Sequence, residues 1–292
     1  MKNLYVSPAI RTLIILVLAI LTAACASTSV LQKTPIDTAA SATTTSTTAT
    51  EPTAETSPPK APDGSLWIPV IVYHRIGIAP KNANSVYKSL TIEPAWFEKH
   101  LQYLQDNGFT SIHFSDVTAY FQNGTPLPAR PVIISFDDGY KDATENALPI
   151  LQKHNMTGTF YIVSGLVGHR AYMTWEQVTA LKDAGMEIGG HTVWHPYLTK
   201  ISEEKARAEI TDSKKKLEEK LGMTVTTFAY PFGAHNAKIE AMVKDAGFTT
   251  ARLFTTGNGI SMQNIFTIPV VRVYANIGLE RWNSQLFPPK HL

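Results

Sequence analysis

From Trp67 onward, short apolar runs rich in β-branched and aromatic residues alternate with stretches of helical periodicity, and no other feature of the chain restricts its fold as much. The predicted strands are 68–73, 110–114, 131–136, 158–163, 186–190, 226–230, 249–254 and 267–273. Helix signals fall between them. Pro94 opens a run with Phe97, Leu101 and Leu104 on one face, and Gly108 follows it. Thr174 and Gln177 form a capping box. Ser202 starts a run through Ala206, Ile210, Leu217 and Leu221 that ends at Gly222, and Asn236 precedes Ile239, Met242 and Val243 before Gly247. Near-continuous apolar strands separated by helices predict an α/β fold with a parallel sheet, either closed into a barrel or open and doubly wound. In both, chemistry gathers at the C-terminal ends of the strands.

With 292 residues and 44% hydrophobic content, the chain can bury one large core or two small ones. Its net charge of +2 comes from mixed signs spread along the sequence, which argues against a nucleic-acid partner, and a monomer is expected. The N-terminus carries a different signal. Lys2 and Arg11 precede a charge-free run, LIILVLAIL at 13–21, too short to span a membrane, and the only cysteine, Cys25, follows small residues. The stretch LTAAC resembles the cleavage site of bacterial lipoprotein signals, with Thr22 where leucine is commonest. Residues 1–25 therefore read as a lipoprotein signal peptide, with a lipid on Cys25 tying the protein to a membrane. The alternatives are an uncleaved anchor or a secreted chain that has lost Cys25. Residues 26–65 are Thr, Ser, Ala and Pro without apolar periodicity, a tether that cannot bury enough surface to order itself.

Two stretches carry candidate chemistry. SFDDG ends the predicted strand 131–136 with adjacent carboxylates, Asp137 and Asp138, whose side chains point in different directions, so that one can bind a cation while the other handles a proton. An isolated Asp-Asp-Gly also reads as a turn. GGHTVWHP follows the predicted strand 186–190 and spaces His191 and His195 four apart, so that on a helical turn both imidazoles face one cation; packing or surface histidines are the alternative. Together the two stretches supply three ligands of the kind used by a catalytic metal that keeps an open water position.

SFDDG and HTVWHP resemble the first two motifs of the polysaccharide deacetylase family, also called NodB-homology or carbohydrate esterase family 4, over roughly residues 66–292. The resemblance implies a distorted (β/α) barrel and metal-dependent hydrolysis of N-acetyl groups on N-acetylglucosamine polymers. It makes Asp137 the general base and Asp138, His191 and His195 the ligands of a divalent ion, zinc in the first instance, with cobalt or nickel as alternatives. The third family motif aligns with FAYPFG, which puts Ala229 where an arginine would steady the base and leaves the Phe232 backbone N–H to help hold the oxyanion. The last motif, with its histidine acid, is missing, but PVIVYHRIG offers His74 on the first strand, as in the branch resembling poly-β-1,6-N-acetylglucosamine deacetylases of biofilm matrices. His74 is accordingly expected to be the acid. Arg272, in the apolar run IPVVRVYAN, is the expected replacement for the missing arginine through pairing with Asp137; an outward-facing arginine is the alternative. Tyr140, Tyr172, Trp175, Trp194 and Tyr197 are candidates for sugar stacking or plain packing, and Asp142 and His235 are read as turn or cap residues. The expected product is a hydrolase of N-acetylated polysaccharide. Peptidoglycan, chitin oligomers or xylan are alternative substrates, and a silent carbohydrate-binding protein of the envelope is an alternative class. Ala26 beside Cys25 favours the outer membrane of a Gram-negative cell.

Overall fold

An apolar residue stands at nearly every position of a run such as PVIISF because successive side chains point to opposite faces and both faces need covering. The computed structural model describes residues 57–288 apart from Pro62 and Asn276; the expected signal peptide, Cys25 and most of the tether lie outside the described residues. Seven strands form a closed barrel: β1 (Val70–Tyr73), β2 (Pro131–Phe136), β3 (Thr159–Ile162), β4 (Glu187–Gly190), β5 (Thr227–Ala229), β6 (Thr250–Thr256) and β7 (Ile268–Arg272). Every ladder is parallel and neighbours follow chain order, while β1 pairs with both β2 and β7. That double pairing decides for the barrel over the open sheet.

Alternation then sorts the side chains. Val70 and Val72 of β1, Ile133 of β2, Tyr161 of β3 and Ala229 of β5 share the interior cluster, while Ile71, Tyr73, Ile134 and Phe136 belong to the cluster beneath the helices. Each fully buried large apolar side chain in these layers contributes roughly 1.5–3 kcal/mol. The outer layer is supplied by α1 (Pro94–Asp106), α2 (Phe114–Asn123), α3 (Leu148–Lys153), α4 (Trp175–Asp183), α5 (Glu203–Leu221) and α6 (Ala237–Asp245). The predicted caps form: Thr174 and Gln177 bond reciprocally, Ser202 accepts from Lys205 N and Asn236 from Ile239 N, and Gly222 ends α5 at a left-handed φ of +62°.

The expected strand at 110–114 is instead a two-residue extension, Thr110–Ser111, paired with the start of β2. Phe114 begins α2 because His113 and Asp116 make a capping box and the buried carboxylate of Glu187 accepts from Phe114 N and Ser115 N, both at 3.0 Å. No helix among the described residues is long and apolar enough to cross a membrane.

Candidate metal centre at the C-terminal mouth of the barrel

β2 delivers the two aspartates. Ladder pairing continues one step past the strand, with Asp137 N donating to Tyr73 O at 2.9 Å, so Asp137 keeps the inward phase of Ile133 and Ser135. Asp138 then takes a left-handed φ of +70°, which turns its carboxylate away from that of Asp137. β4 delivers His191, and the loop after it returns His195. Asp138 Oδ1 lies 3.4 Å from His191 Nε2 and 3.3 Å from His195 Nε2. These three residues are the one group of potential metal ligands among the described residues whose donor atoms all lie within 4.8 Å of one another.

The two histidines do not lie on a helical turn. Thr192 and His195 both have left-handed φ, +65° and +59°, and Thr192 Oγ1 accepts from His195 N at 2.9 Å, so a tight non-helical loop folds the second imidazole back beside the first. Their ring centres are 4.7 Å apart. Four of the five non-glycine residues with left-handed φ among the described residues are Asp138, Thr192, His195 and Phe232. Each costs about 1–2 kcal/mol, a cost that persists only where surrounding contacts over-determine the conformation.

The chemistry of the donors fits a cation. His191 Nδ1 bonds to Ala229 O at 2.7 Å; a carbonyl only accepts, so Nδ1 carries the proton and Nε2 presents its lone pair. Burial pushes His195 down to about 4, with the neighbouring His191 adding to the effect, so at neutral pH His195 is uncharged and able to coordinate. Burial alone would raise Asp138, but its contacts with His191 and the nearby His74 and His195 hold it well below the ordinary carboxylate range. An ionised carboxylate facing two imidazole nitrogens offers three donor atoms to a divalent ion.

Asp137 sits between two partners. Its Oδ2 is 3.9 Å from His74 Nε2, and its Oδ1 accepts from Arg252 Nη2. Arg252 is 1% exposed, and its guanidinium lies 4.5 Å from the centre of the Tyr161 ring. Burial draws Arg252 down to about 9, still charged at neutrality. This corrects the expectation for Arg272. β7 neighbours β1, so the strand carrying His74 stands between Arg272 and Asp137, and the Arg272 guanidinium lies instead beside the rings of Phe254 (5.2 Å) and Tyr274 (5.7 Å). Arg252, on β6, reaches β2 across the bore. Its register partner on β5 is Ala229, whose small side chain leaves the interior open at the position where the family arginine would project. Arg252 in TARLF has the same need of an inward arginine for an anion, and strand periodicity does not discriminate between the two.

Phe232 turns at φ +60° beside the candidate metal ligands; its ring meets His195 edge-on at 4.5 Å and stacks on Tyr197 at 3.8 Å. Trp194 and Tyr197 on the loop of His195, and Phe232 on the turn after β5, are 58%, 47% and 50% exposed. Tyr140 and Tyr172 stack on each other, with Arg75 3.3 Å over Tyr140. Asp142 is more than a turn residue, since it pairs with Arg75 at 3.0 Å and accepts from Ile76 N. Trp175 lies outside the cluster, next to Lys216 and Lys220, and His235 packs near Tyr230.

The family profile described as polysaccharide deacetylase matches residues 124–251, a span that holds both aspartates, both histidines and FAYPFG. Over this span the chain is similar to the polysaccharide deacetylase family. The Bacillus subtilis protein YxkH, which carries a polysaccharide deacetylase name, is 27% identical over 73% of this chain and 77% of its own length. The poly-β-1,6-N-acetyl-D-glucosamine N-deacetylase of Staphylococcus aureus is 26% identical over 60% of this chain and 68% of its own. Among solved structures, the Streptococcus pyogenes deacetylase PplD in complex with acetate superposes with a TM-score of 0.70 at 28% identity, covering 77% of this deacetylase and 100% of PplD. The chain is a hydrolase of N-acetylated polysaccharide with a distorted (β/α) barrel.

Proposed function

We propose that this deacetylase removes N-acetyl groups from an N-acetylglucosamine polymer, poly-β-1,6-N-acetylglucosamine first among the candidates, with a divalent ion held by Asp138, His191 and His195. The observation that carries the reading is the convergence of three ligands beside a separate carboxylate, Asp137, that has its own cationic partner and a histidine next to it. A bound ion supplies polarisation of the acetamide carbonyl and a water of lowered pKa. Asp137 is placed to take a proton from the attacking water, and Arg252 fixes which carboxylate oxygen faces it. Burial pushes His74 down to about 4, so His74 is neutral at rest; the proton taken by Asp137 has a 3.9 Å path to its Nε2 and from there to the departing amine. In this arrangement His74 is a relay loaded during turnover. The N–H of Phe232 assists the oxyanion. The exposed rings of Trp194, Tyr197 and Phe232 suit the apolar face of a pyranose.

The choice of polymer draws on the activity of the Staphylococcus aureus relative. The departure at Ala229 does not favour a silent site, because Arg252 occupies the bore beside it and pairs with Asp137. Acetate release by the purified protein from β-1,6-linked and β-1,4-linked N-acetylglucosamine oligomers, peptidoglycan and acetylated xylan, with and without chelator, tests the reading. The expected result is chelator-sensitive turnover highest on the β-1,6 oligomer. Turnover that survives exhaustive chelation would overturn the metal, and a preference for another polymer would overturn the substrate. We further propose export and lipidation at Cys25, with residues 26–65 as a tether that lets a monomeric enzyme reach polymer away from an outer membrane. Membrane release of a Cys25→Ser variant checks it.

A further inference from the structure

Arg272 is left without an anion by the pairing of Arg252 with Asp137. Its Nε is sealed from solvent and has no hydrogen-bond partner among the described residues. With Arg281, Thr256, Tyr274, Ile277 and Gln285 it lines a cavity of about 290 Å³. Two guanidiniums and no acidic side chain form its lining. Among the described residues the arginine ion pairs are Arg75–Asp142, Arg207–Asp245 and Arg252–Asp137, so neither Arg272 nor Arg281 is neutralised there. Two like charges facing one cavity repel unless an anion enters, and the guanidinium fork matches a carboxylate in bidentate geometry.

The cavity adjoins the reaction centre. The Phe254 ring lies 5.6 Å from the His74 imidazole, edge to face, and 5.2 Å from the Arg272 guanidinium, so one aromatic ring neighbours both the proton relay and the first arginine. Its volume lies at the lower end of small-ligand sites, enough for an acidic substituent with part of its sugar.

We infer that the Arg272–Arg281 cavity is a subsite for a carboxylate carried by the polysaccharide, on a sugar unit next to the one that is deacetylated. This rests on the deacetylase reading and extends it to N-acetylglucosamine polymers that bear acidic substituents. The same cavity rejects the ammonium of a glucosamine unit already formed, so deacetylation is spaced along the chain by charge.

The test measures acetate release by the full chain loaded with zinc on three N-acetylglucosamine oligomers of equal length: neutral, carboxymethylated and half-deacetylated. The expected order is carboxymethylated, neutral, half-deacetylated, with KM lower by about tenfold for the carboxymethylated than for the neutral oligomer. Arg281→Gln and Arg272→Gln should abolish this ranking while leaving kcat/KM on the neutral oligomer within about twofold, and Arg272→Lys should restore part of it. A wild type that does not distinguish the three oligomers overturns the subsite, as do variants that lose neutral and carboxymethylated turnover equally. No acetate from the neutral oligomer in wild type would fall on the deacetylase reading instead.

Discussion

Asp137 shows at the scale of one residue how position sets role. Its neighbour Asp138 has the same side chain, yet a left-handed φ sends that carboxylate to the histidines while Asp137 stays in the bore between His74 and Arg252. The division predicts distinct losses. Asp137→Asn should keep its metal and lose most turnover, whereas His191→Ala should lose the metal; equal metal loss in both, by elemental analysis, would break the assignment. Arg252→Ala should retain metal and lower kcat by about a hundredfold. The acid limb of its pH–rate profile should move to higher pH, because Asp137 then lacks a neighbouring cation. Arg252→Lys should recover part of the rate, and a variant with an unshifted profile would mark Arg252 as mere packing. The aspartates and histidines were legible in the sequence because each pair lies within a few residues at a strand end. Arg252 was not, since two inward arginines on adjacent strands satisfy the same pattern and only distance across the bore separates them.

At the scale of the element, the loop 191–195 decides whether the ligands meet. Its backbone is pinned from two sides: Ser164 N and Gly165 N donate to Thr192 O and Val193 O, and the Glu209 carboxylate of α5 accepts from Val193 N and Trp194 N, both at 2.8 Å. A Cβ on Gly165 would meet Val193 O at 2.4 Å, so a side chain there would displace the loop. Glu209→Ala should therefore weaken zinc affinity by about 10–100-fold while far-UV circular dichroism stays unchanged, as titration against a competing chelator would measure. Unchanged affinity would mean that the loop holds itself. Nothing in the helical run EEKARAEITDSKKKLEEKL sets Glu209 apart from its other acidic residues. The motif HTVWHP revealed the ligands but not their geometry, because a four-residue spacing suits a helical turn and the two left-handed residues that replace it leave no mark in composition.

At the scale of the molecule, closure joins the ends of the described chain. Trp282, from the short helix Leu279–Asn283, is fully buried and stacks at 4.2 Å on His100 of α1, while His100 Nδ1 bonds to Tyr73 Oη of β1 at 2.9 Å. Trp67 Nε1 donates to Leu286 O. Burial pushes His100 down to about 4 from its unfolded value near 6.5. As pH falls from 6.5 to 4 the unfolded chain takes up a proton that the folded one refuses, so stability drops across this window and levels off below it. The contribution is roughly 3 kcal/mol when fully expressed. Urea midpoints at pH 7 and pH 4.5 should differ accordingly, and His100→Gln should show a shallower dependence; the same slope in that variant would remove His100 as the cause.

The sequence alone determined the order of the elements, the parallel character of the sheet, the helix caps and the chemical identity of the candidate metal ligands. These follow from periodicity, turn chemistry and side-chain type acting over about ten residues. Only the tertiary structure decided that the sheet closes, that α2 starts at Phe114 on a carboxylate from Glu187, and that Arg252 rather than Arg272 serves Asp137. Those outcomes depend on which side chains face each other across a bore whose register and tilt are set by all seven strands at once, and no local window of sequence contains that distance.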